Sequence, residues 1–171
     1  MREVSDMQAL FRDGVATDFR EIAAINRMAL PHVAELDGAE FALLMRCCDW
    51  FRVAEIDGQL AGYLFAMGSG ADYHGDEFIR FRETLKGAFY YIDQVAVAPE
   101  HRGKGLARHF YAEIETHAQG KSVGMLACEV NKVPANVPSL AFHEGLGFQE
   151  AGEMETRGVV VSLLKRNLMS Q

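Results

Sequence analysis

Cysteine, proline and tryptophan are scarce in this chain of 171 residues, which has three, four and one of them. Cys47, Cys48 and Cys128 are an odd number with two adjacent, a poor framework for disulfides. They read as buried thiols in a reducing cytosol, so a cytoplasmic location is expected. Positive charge is in deficit as well, with 17 Lys and Arg against 24 Asp and Glu, a net charge of −7. Affinity for a phosphate backbone rests on clustered cations that displace counterions, so no nucleic-acid partner is expected, although one local basic patch stays open. No apolar run approaches the ~20 residues of a bilayer span; the longest, at 62–67 and 159–161, are short, and no membrane association is expected. The polar start at residues 1–6 opens no secretory signal. Repeats, low-complexity tracts and charge blocks are missing too. A composition of 49% hydrophobic and 24% charged residues therefore describes one globular domain over 1–171.

What is present is periodicity. Phe19, Ile22, Ala23, Ile25, Met28 and Ala29 recur at helical spacing and stop before Pro31, which predicts an amphipathic helix over 18–29. A weaker helix follows over 39–48. Residues 51–56 alternate at period 2, Asp57-Gly58 is a turn pair, and 60–67 is apolar and aromatic, a hairpin. A long connection over 68–87 has room for a short helix at 77–86. A strand over 89–97 leads through glycines at 103 and 105 into a helix ending near 118, then a strand over 125–130. Pro138 opens a helix, Gly147 closes it, and segments 148–155 and 159–165 form a final hairpin. With a short N-terminal strand, the order describes a mixed α/β sheet of the α+β kind rather than an alternating doubly wound one.

Several familiar patterns fail on context. Gly120-Lys121-Ser122-Val123-Gly124 has the G-x-S-x-G spacing, but Ser122 follows a helix and opens a strand, the reverse of a nucleophile elbow. Glu115 stands where a phosphate-binding P-loop needs glycine, and Arg108 stands where a dinucleotide fingerprint needs its third. The six histidines have no H-E-x-x-H or C-x-x-C partner, so no metal site is expected.

Two runs carry chemistry. In Asp93 to Arg108 a strand ends at Ala98-Pro99 and a turn bearing Gly103 and Gly105 opens a helix. Amide N–H groups at a helix N-terminus lack intrahelical partners and face the positive end of the helix dipole, so the turn suits an anion. Arg102, Lys104 and Arg108 bring three cations there. An acidic chain with cations gathered at one such turn invites a phosphate ligand; glycines serving tight packing are the competing account. The second run is Asn131 to Phe148, with Asn136, Ser139, His143, Gly147 and Phe148.

Together the two runs resemble the GNAT superfamily of acyl-CoA-dependent N-acyltransferases. The strand ending and the spacing Arg102, Gly105, Ala107 match its [RQ]-x-x-G-x-[GA] signature. Asn136, Gly147 and Phe148 match its later signature, from which Ser139 and His143 depart, the latter replacing the usual tyrosine. The element order is also the family's. The resemblance implies a three-layer fold with two central strands splayed apart, acetyl-CoA as cofactor and CoA as product. The backbone of Val95, Ala96 and Val97 would pair with the pantetheine arm, and residues Gly103, Lys104, Gly105, Leu106 and Ala107, between Arg102 and Arg108, would hold the pyrophosphate. Asn131, Asn136, Ser139 and His143 complete the expected cofactor wall; Asn136 also suits a helix N-cap, and the two roles are compatible.

Transfer to an amine needs a base, an acid and an oxyanion donor. A strand N–H near Val95 would be the donor. His143 is the candidate acid, with a helical histidine of no chemical role as the alternative. Asp93 and Glu129, in the two strands expected to splay, are the candidate bases, unless they face solvent or pair with arginines; Tyr90 and Tyr91 are further candidates. The acceptor would be a small-molecule or peptide amine, for which Glu35, Asp37, Asp72, Asp76 and Glu77 suit a cation or form a solvated face. A homodimer is compatible with the resemblance. A non-catalytic acyl-CoA-binding regulatory module is the alternative function, and the two divide on whether His143, Asp93 and Glu129 converge on one cleft.

Overall fold

The computed structural model describes residues 8–169. A seven-stranded sheet carries the strands in the order β1-β2-β3-β4-β5-β7-β6. In chain order these are β1 (Leu10–Asp13), β2 (Trp50–Ile56), β3 (Gln59–Gly68), β4 (Tyr90–Val97), β5 (Met125–Val133), β6 (Gln149–Thr156) and β7 (Val159–Asn167). Helices α1 (Phe19–Ala29), α2 (Gly38–Cys47) and α3 (Asp76–Thr84) cover one face, and α4 (Leu106–Gly120) and α5 (Val137–Gly145) the other. Period-2 alternation in the central strands separates two cores. Tyr63, Phe65, Met67 and Tyr91 pack under α1–α3, while Leu64, Ala66, Tyr90 and Ile92 pack on Phe110, Tyr111 and Ile114 of α4.

The expected elements are present, with informative differences. Met28 is half exposed rather than part of the buried stripe of α1, and Asn26 is buried in that face instead. The strand expected over 125–130 runs on to Val133. The short helix of the long connection sits at Asp76–Thr84, one residue before its expected start. Of the thiols, Cys128 is buried, whereas Cys47 and Cys48 are only part-buried; all three are free. No described helix is long and apolar enough to cross a membrane.

Two irregularities in β4 position the site. Its pairing with β5, the one parallel contact among the described residues, consists of Tyr90↔Leu126 and Tyr91↔Ala127. Beyond Tyr91 the strands diverge, so main-chain groups of β4 that face β5 have no strand partner. On its other side, Phe65 pairs with Gln94 and Ala66 with Ile92, which leaves Asp93 as an extra residue, a β-bulge. The bulge breaks the alternation: Asp93 and Gln94, neighbours in sequence, both make their hydrogen bonds on the α1–α3 side.

Candidate active site

The divergence of β4 and β5 opens into a cavity of about 1490 Å³ that passes between the two faces. One end is the turn before α4. Gly103 and Gly105 hold left-handed φ of 75° and 82°, and a Cβ built on either meets nothing within 4 Å. Tight packing therefore does not explain these glycines; the turn needs their conformation and leaves open space in front of the helix N-terminus. Arg102 and Arg108 line this end, with Leu106 buried beneath it. Lys104 does not line the cavity; its ammonium donates to His101 Nδ1 at 3.1 Å. Val95, Ala96 and Val97 form the β4 wall.

The opposite wall comes from β5 and α5. Asn136 caps α5, its Oδ1 accepting from the Ser139 N–H at 3.4 Å, and it also lines the cavity, so both of its expected roles are open to it. The Asn131 side chain lines the cavity too, and donates across it to the Pro31 carbonyl at 3.4 Å. His143 is buried, not a surface histidine. Its Nδ1 lies 2.7 Å from the Ser139 carbonyl, which can only accept, so Nδ1 carries the proton. Nε2 is then a lone pair, and it accepts from the Tyr111 hydroxyl at 2.6 Å. Burial lowers the His143 pKa, against the hydrogen bond to Ser139. The imidazole is thus held neutral, with no proton on Nε2 for the candidate acid role.

At the far end, on the α1–α3 side, three carboxylates converge. Asp93 Oδ1 accepts from Tyr73 at 2.8 Å and Glu129 Oε2 from Tyr91 at 2.8 Å. Glu77, 3% exposed, meets Arg157 at 2.6 Å between Oε1 and Nη1, a close charge contact rather than an aligned hydrogen bond. Burial pushes Asp93 up to about 7; the charges of Glu40 and Glu77 add to the rise, and Tyr73 and Arg157 oppose it. Burial also raises Glu129 well above the carboxylate range, with Glu77 and Asp93 adding to it and Tyr91 and Arg157 opposing. Two buried acids beside a third cannot all ionise freely.

His143, Asp93 and Glu129 therefore line one cavity. Of the tyrosines considered, Tyr91 serves Glu129, but Tyr90 turns to the α4 side, where its hydroxyl donates to Asp49 at 2.7 Å. Sequence reasoning missed Tyr73, Tyr111 and Arg157 as site residues. Tyr111 sits in the apolar stripe of α4 and reads as core. Arg157 could have been found as the left-handed residue of the Arg157-Gly158 turn, with φ of 48° and 74°, which aims it from the β6–β7 hairpin.

No curated protein matches the chain. Solved structures match its fold. The ribosomal-protein-S18-alanine N-acetyltransferase of Escherichia coli is 16% identical, with 96% of each chain covered and a TM-score of 0.72. A phosphinothricin acetyltransferase of Sinorhizobium meliloti, solved with acetyl-CoA, is 24% identical, with 94% of this chain and 89% of that one covered and a TM-score of 0.70. The Arabidopsis thaliana protein NAA60, solved with a bisubstrate analogue, is 16% identical, with 94% and 98% covered and a TM-score of 0.74. At the level of sequence, the acetyltransferase (GNAT) family profile matches residues 18–148, which span both walls of the cavity, and the chain belongs to that family.

Proposed function

We propose that the protein transfers the acetyl group of acetyl-CoA to a primary amine, small-molecule or peptide, by direct attack within a ternary complex. The observation that carries this reading is that an anion-binding turn and a set of proton-handling side chains line one cavity. Acetyl-CoA supplies the thioester; the C–N bond forms at its acyl carbon as the C–S bond breaks. The free β4 edge beyond Tyr91 offers main-chain partners to the pantetheine arm, and the turn at 103–107 offers its N–H groups to the pyrophosphate. Arg102 and Arg108 add charge there.

Asp93 is the base. The amine arrives protonated, and a carboxyl with a pKa near the working pH both accepts a proton and returns it to solvent. One Asp93 oxygen is held by Tyr73, which leaves the other for the amine. Glu129, which burial also raises well above the carboxylate range, is the neighbour that spares Asp93 a second adjacent charge. An N–H of the bulged strand next to Asp93 is the donor for the oxygen that gains charge. The Tyr111 hydroxyl spends its one proton on His143 Nε2, so this pair shapes the cavity wall and the departing thiolate takes its proton from solvent. With Glu35, Glu40, Asp76 and Glu77 around its far end, the cavity suits a cationic acceptor.

The test begins with thermal unfolding in excess acetyl-CoA, CoA and ATP. At a hundred times its Kd a ligand adds about 2.7 kcal/mol, or roughly 5–10 °C at this chain length. Shifts with both CoA forms and little with ATP are expected, followed by amine-dependent CoA release from a panel of primary amines. No shift with either CoA form removes the reading. Binding without CoA release from any amine favours the regulatory module instead.

A further inference from the structure

Asn26 is 1% exposed among Ile22, Ile25 and Ala29 on the inward face of α1, where packing alone asks for an apolar residue. Every polar group of its amide is used. Oδ1 accepts from the Leu36 N–H at 3.0 Å, and Nδ2 donates to the Ala34 carbonyl at 2.9 Å. The second Nδ2 hydrogen faces Tyr63 Oη and Gln94 Oε1, each at 3.2 Å. Gln94, 4% exposed, accepts from the Tyr63 hydroxyl at 2.9 Å and donates to the same Ala34 carbonyl at 3.1 Å. Helix α1, β3 and β4 thus grip one stretch of chain.

That stretch, residues 31–36, belongs to no helix or strand, and its residues 31–35 line the acceptor side of the cavity. Its far end is tied to β5 by Asn131 on the Pro31 carbonyl. The segment therefore spans the divergence, from β5 to β4. At the β4 end the bulge sets Gln94, which holds the segment, directly beside Asp93, which receives Tyr73. Releasing Gln94 frees both the segment and the local register of the bulge, because buried amide pairs hold one geometry or leave costly unpaired groups.

We propose that the Asn26–Gln94 pair is a positioning latch, fixing residues 31–36 across the divergence of β4 and β5 and holding the bulge that presents Asp93. Asn26 touches neither acceptor nor cofactor in this account; it acts through Gln94 and the segment. The proposal goes beyond the acyltransferase reading and is tested without any acceptor, so the two fail separately.

The test is a 13C NMR titration of the Asp93 carboxyl in the full chain, alone and as Asn26→Ala, with amide exchange at Leu36 and acetyl-CoA Kd measured alongside. Tyr73, Glu40, Glu77, Glu129 and Arg157 face Asp93 and are unchanged in the variant. Wild type is expected to titrate near 7. In the variant, water reaches the bulge, the midpoint falls by about one pH unit or more, and Leu36 exchanges about tenfold faster or more. The Kd for acetyl-CoA stays within about twofold. An Asp93 midpoint that stays put while Leu36 exchange speeds up would show that Asn26 only tethers the segment, and the latch is overturned. Leu36 exchange unchanged in Asn26→Ala overturns it too, because Asn26 Oδ1 is the acceptor that holds the Leu36 N–H. Should Asn26→Ala not fold, Gln94→Leu opens the latch from the β4 side, leaves the Leu36 N–H on Asn26, and is read by the same Asp93 midpoint.

Discussion

Replacing Asp93 with asparagine sets chemistry against stability. The side chain keeps its shape and can still accept from Tyr73, but it cannot ionise. In the wild type the folded chain holds the Asp93 proton to about 7, against 3.8 for the free group. A carboxyl whose pKa is raised by folding leaves the native state with more bound protons than the unfolded one, so stability falls as pH rises between the two values. The shift of roughly three pH units corresponds to a ceiling of about 4 kcal/mol. Asp93 is not wholly shut off from solvent in the cavity, so about half, ~2 kcal/mol, is a reasonable expectation. That is roughly 4–8 °C in Tm for a chain of this size. Asp93→Asn should therefore match the wild type near pH 4, pull ahead through pH 4 to 7, and keep a constant lead above. Amine-dependent CoA release should fall by about a hundredfold or more, and the wild-type rate should rise with pH through about 7. Calorimetric melts of both chains at pH 4, 6 and 8, with kinetics on the same samples, decide the matter. A Tm difference that is flat with pH, or a variant less stable at pH 8, would refute the reasoning.

Two further perturbations probe the ends of the cavity. Gly105→Ala meets no atom but must keep a left-handed φ, so the expected stability loss is roughly 1–2 kcal/mol by calorimetry; the displaced turn should raise the acetyl-CoA Kd about tenfold or more by titration calorimetry. Arg157→Gln leaves Glu77 buried without its cation. A loss of about 2–4 kcal/mol at pH 8 is expected, together with a rise in the Asp93 midpoint, since Arg157 now holds it down. An Arg157→Gln melt equal to wild type at pH 8 would remove the guanidinium from the account of the acidic end.

The legible parts of this protein were those written locally. Glycines at 103 and 105 before an amphipathic stripe, and asparagine two residues ahead of Pro138, each describe a helix start that the structure contains. The residues that line the β4 wall were legible for the same reason, as members of one strand. What the chain hides is register. The bulge at Asp93 exists only because β3 pairs with β4 in one offset, and nothing in the alternation of 90–97 announces it. Likewise Asn26 falls on the buried face of α1 while Met28 leaves it, a rotation of the helix decided by what loop 31–36 and β4 require. Tyr111 looked like core because it is core; its hydroxyl matters only because α5 brings His143 against it.

The short pairing of β4 with β5 also bears on solubility. An unpartnered strand edge is the usual template for intermolecular sheet growth, and proteins guard such edges at their margins with charge, bulges or cover. Here the open edge lies in the middle of the sheet, between two strands that part after Tyr91↔Ala127. Its protection is geometric. The bulge at Asp93 interrupts the ladder, the segment at 31–36 crosses one side, and α5 with Asn136 and Ser139 bounds the other. A narrow, extended guest can enter that notch, whereas a second strand with a sheet behind it cannot, so the chain can hold an empty site open without inviting its own copies into it.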